Sequence, residues 1–368
     1  MIVAVIAQGA RADDWSGGVE AGGEADSNVR RVEVGPTTTE APIAAGLFRL
    51  GGRVAGRGDT RYGSWTVDGL GLLRAVATQM STGESVGVVA GDARWDVAIP
   101  HRTARAFVRA DVYDVLGLEG LLSTRAFATR GAEAGVALAD GERRVTVTGG
   151  ARDFTYKPDH DFDWRGPSFG VRLDAPLWRA TGDEPAALEL SADYRFERRS
   201  FSGLAFANGC TPGAAPDPMC YVPTTAHRAD LHHRALAQLT YTGERVLSAG
   251  YELVVADSTS YGQSVIRHRV LASATSELGA RVLITASAIL ELDQYPAPLL
   301  VARDVNSTSF SSIEDDNRNM ISVLLGRPIT GRWSVEARWA LWANAFTGDA
   351  YSFRRQVVYV GIVWGAPH

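Results

Sequence analysis

The sequence predicts an all-β chain, a single antiparallel β-barrel of about 16 strands, or about 14 if the segments around Gly83 and Gly117 merge. Three observations carry this reading. Apolar and polar residues alternate with a period of two along nearly the whole chain, the repeat of a strand with one apolar face. No helical period interrupts the alternation. The alternating segments are joined by connections that are short and long in turn.

Composition narrows the class. The chain has 368 residues, of which 45% are hydrophobic and 21% charged, with a mean hydropathy of -0.06. No apolar run nears the roughly 20 residues that a membrane-crossing helix needs. A barrel wall escapes that test, because only every second residue of its strands faces outward. The net charge of -5 argues against nucleic acid as a partner, since such proteins concentrate positive charge.

Residues Ile2 to Ala7 are apolar, and Ala10-Arg11-Ala12 before Asp13 has the small-x-small form of a signal-peptidase site. Residues 1–12 therefore read as the remainder of a signal peptide and 13–368 as the barrel. Trp15, Val19, Ala21 and Ala25 then oppose Glu20, Glu24, Asp26 and Asn28. Phe48, Leu50 and Val54 oppose Arg49 and Arg53, and Trp65, Val67 and Leu73 oppose Thr66, Asp68 and Arg74. The pattern recurs through Val89–Val97, Val108–Val112, Ala132–Leu138, Val145–Arg152 and Phe169–Leu177. Leu188, Leu190, Tyr194 and Phe196 against Glu189, Ser191, Asp193, Arg195 and Glu197 form the clearest strand. Later strands centre on Leu231–Tyr241, Leu247–Val255, Val270–Thr275, Val282–Asp293 and Ile321–Leu325.

The chain ends on two more strands. Trp333, Val335, Ala337, Trp339, Leu341 and Ala343 share a face, and after Thr347-Gly348-Asp349 so do Val358, Val360, Ile362 and Trp364. This aromatic-ended pair resembles the closing hairpin of bacterial outer-membrane β-barrels. The opening Gly22-Gly23-Glu24-Ala25-Asp26-Ser27-Asn28-Val29 is similar to the "GYDSNV" start of surface lipoprotein assembly modifiers and of exopolysaccharide-export barrels. The ending Phe353-Arg354-Arg355 through Trp364 also looks like theirs, and the chain departs from them at Ala25, where they carry an aromatic. The resemblance implies an integral outer-membrane protein surrounded by outer-membrane lipid and lipopolysaccharide.

Short connections are expected at Arg57–Tyr62, Ile99–Thr103, Asp140–Arg143, Ala180–Pro185, Thr242–Glu244, Leu278–Ala280 and Arg327–Arg332. Longer ones are expected at Arg30–Pro42, Lys157–Arg165, Ser202–His227 and Pro296–Asn317. Barrels of this kind have short periplasmic turns and longer outer loops, which puts both termini in the periplasm. Cys210 and Cys220 lie in the Pro/Gly-rich stretch CTPGAAPDPMC. In an exported protein such a pair reads as a disulfide, worth about 2–3 kcal/mol by loop closure. Two free thiols are the alternative.

Several motifs have plain explanations. Gly83-Glu84-Ser85-Val86-Gly87 fits the G-x-S-x-G pattern, but that chemistry needs a strand, an elbow and a helix, and here a strand follows. Arg57-Gly58-Asp59 reads as a turn. His232 and His233 are neighbours on a strand and point to opposite faces, so they do not chelate one metal. Asp159-His160-Asp161-Phe162-Asp163 and Glu314-Asp315-Asp316 lack the spacing of a defined calcium loop. No catalytic constellation, metal site or cofactor is predicted.

The functional signal is the charge on the polar faces. It comprises Asp92, Arg94 and Asp96, then Arg105, Arg109 and Asp111, and then Asp193 and Arg195. It continues with Arg228, Asp230 and Arg234, with Arg267 and Arg269, with Glu291, and with Glu336 and Arg338. An Arg facing lipid would cost about 2–4 kcal/mol at the midplane, so these side chains are predicted to line the lumen. A barrel of about 16 strands is wide enough for an aqueous interior. The expected function is a pore or conduit for hydrophilic molecules. As the outer-membrane part of a polysaccharide exporter it would have a periplasmic export partner. The alternative is a non-conducting receptor or assembly factor acting through its outer loops.

Overall fold

The computed structural model describes residues 14–32, 34, 41–77, 84–100, 103–118, 126–180, 185–209, 221–296, 319–343 and 352–365. Sixteen strands account for most of them. They are β1 (Asp14–Asp26), β2 (Ala45–Thr60), β3 (Gly63–Val76), β4 (Val86–Ala98), β5 (Ala104–Gly117), β6 (Phe127–Asp140), β7 (Arg143–Tyr156) and β8 (Trp164–Ala180). The second half comprises β9 (Ala186–Asn208), β10 (Tyr221–Thr242), β11 (Arg245–Ser258), β12 (Val265–Leu278), β13 (Val282–Gln294), β14 (Asn319–Thr330), β15 (Trp333–Ala343) and β16 (Arg354–Gly365). Each strand pairs antiparallel with its neighbours in sequence, and β1 pairs with β16, so the sheet closes on itself with no edge.

Alternation along each strand sorts the side chains onto two faces. The outer one carries large exposed apolar residues, among them Phe169, Leu239, Leu290, Val360 and Ile362. On β9 this apolar stretch runs from Leu188 to the first outward charge, Arg198. About ten residues at about 3.3 Å, tilted by about 40°, give a band about 25 Å tall, the height of a bilayer's apolar layer. One rim of the barrel holds the tight turns. Trp15, Trp178, Trp333 and Trp364 stand exposed on the outer face beside it, with Trp15 and Trp65 in ring contact at 5.5 Å. Glycine supplies the positive φ of two of these turns, Gly141 at 59° and Gly331 at 53°, and Arg281 takes φ 60° in the turn between β12 and β13.

At the opposite rim, the loop rim, the observed connections differ from those expected. Ser202–His227 is largely not a loop. β9 and β10 continue through it as strands of 23 and 22 residues, with ladder irregularities around His227. The alternation in fact persists there, with Phe201 and Ala205 buried and Leu204 and Phe206 exposed. The extension is braced laterally, since Ser202 donates its amide to Asp163 and Tyr261 donates its own to Phe206. Lys157–Arg165 shrinks in the same way, because β8 begins at Trp164 and a short 3-10 turn occupies His160–Phe162. At the turn rim Arg57-Gly58-Asp59 is strand rather than turn, and the bend falls on Arg61 and Tyr62. The bend expected over Arg327–Arg332 narrows to Gly331 and Arg332, with β14 running to Thr330. The segments around Gly83 and Gly117 do not merge. Residues 1–12, Cys210, Cys220 and Glu314–Asp316 lie outside the described residues.

Candidate functional site: the charged inner wall

The ladders place every charge named from the sequence on the face opposite the apolar one. Arg109 stands beside Arg94 and Glu133, Arg234 beside Arg195, Arg269 beside Glu291, and Arg338 beside Tyr359. Some ion pairs on this face skip whole strands. Arg195 on β9 reaches Glu133 on β6 at 3.4 Å, and Arg338 on β15 reaches Glu20 on β1 at 2.8 Å. Such chords are short only on the concave side of a closed sheet, so this is the inner wall.

On that wall the charges form alternating chains. From β4 to β9, Asp92, Arg109, Glu133 and Arg195 follow one another, with Arg109 2.5 Å from Asp92 and 3.5 Å from Glu133. Beside them Arg94 holds Asp96 through two hydrogen bonds of 2.7 Å and lies 3.8 Å from the Phe107 ring centroid. Arg152 joins Asp111 at 2.7 Å to Glu197 at 4.0 Å. A second chain runs from Asp193 through Arg234, Glu252, Arg269, Glu291 and Arg267 to Asp293 on β13. Arg228 grips Asp230 at 2.5 and 3.0 Å and lies over the Phe201 ring. Arg105, near the turn rim, has no charged partner among the described residues.

A third chain was singled out in the sequence only at Glu336 and Arg338. Arg355, Asp26, Arg74, Glu24, Arg49, Glu20, Arg338 and Glu336 link β16, β1, β2, β3 and β15 across the closing seam. Tyr359 lies within it, with Arg49 and Arg338 near its ring at 5.4 and 5.0 Å. Its ring covers Gly22 and Gly361, where an added Cβ would meet Tyr359 atoms at 2.7 and 2.0 Å. The parity of Glu20, Glu24 and Asp26 was legible in the sequence. What the sequence could not supply was the closure that brings residues 329 positions apart into contact.

Facing this seam, β4 to β9 carry an apolar cluster on the inner wall near the loop rim. Phe127, Phe154 and Trp164 stack in series at 5.8 and 6.1 Å, with Val86, Val88, Val115, Tyr156 and Phe201 around them. Arg199 caps Trp164 at 4.4 Å. Accessibility along the wall is graded accordingly. The Arg172 and Arg109 side chains, toward the turn rim and mid-wall, are 54% and 40% exposed, whereas Arg267 and Arg355, toward the loop rim, are each 2% exposed.

The remaining motifs have structural roles. Ser85 is buried and accepts the Val76 amide at 3.0 Å. Asp159 caps the 3-10 turn by accepting the Asp161 amide, and Asp163 accepts the Tyr156 amide at 2.6 Å. His233 lies on the outer face at 2.8 Å from the Tyr194 hydroxyl, and His232 is buried on the inner one. Among the described residues no group of three or more His, Cys, Asp or Glu converges as a metal site.

A closed 16-strand antiparallel barrel with an apolar outer band, a tryptophan-marked rim and charge confined largely to its inner wall is an outer-membrane β-barrel. No protein-family model and no curated protein matches the sequence. Solved structures align with it in fold alone. A triple mutant of Rhodopseudomonas blastica porin aligns over 96% of this chain and 99% of its own at 11% identity and a TM-score of 0.39. A structure titled "Asymmetric conductivity of engineered proteins" aligns over the same shares at 11% identity and a TM-score of 0.38. The likeness is one of architecture.

Proposed function

We propose that this barrel is a pore or conduit for hydrophilic molecules, entered freely from the turn rim and narrowed at the loop rim. The observation that carries the reading is the inner wall itself. Its arginines and carboxylates alternate in continuous chains, and their exposure rises toward the turn rim. The accessible members, such as Arg109 and Arg172, would stand in water there, and a barrel of this strand number has room for a hydrated interior. We place the turn rim in the periplasm, following the usual disposition of short turns. A polysaccharide passing outward from a periplasmic export partner fits the same mixed-sign wall, whose polar groups would meet sugar hydroxyls.

The burial of the loop-side wall favours a second reading, a non-conducting receptor or assembly factor whose interior is closed at that rim. Planar-bilayer recording with purified protein separates the two. Steady conductance that shifts its reversal potential in a salt gradient supports the pore. A folded protein without conductance, even at high voltage, supports the closed barrel.

A further inference from the structure

The outer face carries an arginine cluster that the inner chains do not use. Just past the apolar band, at its loop-rim edge, Arg130 on β6 lies opposite Asp153 on β7, and Asp153 lies opposite Arg165 on β8. Arg165 in turn pairs with Ser200 on β9, so Arg198, two residues along, is its diagonal neighbour on the same face. All three arginines are exposed. Arg130 sits 3.7 Å from Asp153, its side chain 59% exposed. Arg165 and Arg198 have no acidic partner among the described residues. Below them the same strands are apolar, with Leu138, Val147, Phe169 and Tyr194 facing out.

In a chain that pairs nearly every inner arginine, two unpaired arginines stand side by side where the band meets polar surroundings. Guanidinium groups bind phosphate oxygens through forked, charge-assisted hydrogen bonds. One carboxylate among three guanidiniums leaves the patch net positive. We propose that Arg130, Arg165 and Arg198 form a docking site for the phosphate of an anionic lipid headgroup at the loop-side membrane surface. The site is independent of whether the lumen conducts.

The test is lipid retention by native mass spectrometry of the folded protein, mixed with phosphatidylcholine, phosphatidylglycerol or lipid A. Wild type should hold phosphatidylglycerol and lipid A in preference to phosphatidylcholine. The R165Q/R198Q variant should lose about 30-fold in apparent affinity, from the usual worth of two arginines at an anionic surface. R165K/R198K should recover most of that loss. R354Q, which removes an exposed outer arginine on β16, should match wild type. Folding of each variant is read first from heat-modifiable gel mobility. Equal retention by wild type and R165Q/R198Q overturns the proposal. So does displacement of the lipid by an equal concentration of inorganic phosphate, which would mark a free-anion site instead.

Discussion

Arg355 holds Asp26 with two nitrogens, Nη2 at 2.7 Å and Nε at 3.0 Å from one carboxylate oxygen, across the seam where the last strand meets the first. The two side chains are 2% and 0% exposed. Arg74 stands 3.6 Å from the same carboxylate. Breaking a buried pair strands the remaining charge, so Asp26→Asn or Arg355→Gln should cost about 3–5 kcal/mol. The joint replacement Asp26→Leu with Arg355→Met should cost less than either single change. Urea unfolding followed by heat-modifiable mobility checks this, and unaltered stability of both single variants would remove the seam from the account.

The two faces of β9 make opposite predictions. Leu190→Arg places a charge in the apolar band, at about 2–4 kcal/mol near the midplane. Ser191→Arg adds to a wall that already holds Asp193 and Arg195. Folded yield should fall sharply for the first and little for the second. Equal damage from both would mean that the faces are assigned the wrong way round.

Exposure along the inner wall predicts chemical access. With Cys210 and Cys220 replaced by serine, a cysteine at Ser191 should react quickly with a small charged thiol reagent. One at Val254, buried on the same wall toward the loop rim, should be protected. Comparable rates at the two positions would show that the loop side is as open as the turn side.

Ion preference should answer to the accessible arginines and not to the buried ones. Arg172→Ser with Arg109→Ser should move the reversal potential toward cation preference, because low-dielectric walls focus the field of the charges left behind. Arg228 was an equally good candidate by sequence, but it is buried against Asp230 and Phe201. Its removal should lower stability instead. A pore whose reversal potential ignores Arg109 and Arg172 does not pass ions along this wall.

The thiol pair can be tested directly. Asn208 and Tyr221 are paired at the tips of β9 and β10, and in sequence Cys210 and Cys220 lie within two residues of them. We expect them to form a disulfide. A membrane-impermeant maleimide should label intact cells only after reduction, and labelling without reduction would mean free thiols.

Much of this was legible because a period of two leaves little freedom. Leu188 to Glu197 states its own faces, and one strand so fixed sets the register of its neighbours. The extension of β9 and β10 was hidden by Gly203 and Pro223, which read as loop although the alternation continues on either side. Parity tells which face a charge occupies but not how deeply it is covered, so Arg267 and Arg109 looked alike. Nor does parity name partners. Glu20 and Arg338 meet only because the sheet closes.

That closure has a consequence for how the chain assembles. Every ladder but one joins strands adjacent in sequence, so nearly all pairing is local and carries a small loop-closure entropy. The β1–β16 ladder alone must bring together segments from opposite ends of the chain. Hairpins can therefore accumulate one upon another, while the last junction waits for the whole sheet to curl. Until Arg355 reaches Asp26, the growing sheet has two unpaired margins, open to pairing with other chains. The slow step of biogenesis is expected to be this final zipping, and a catalyst of insertion would act most usefully by holding the two margins apart from competitors until they meet.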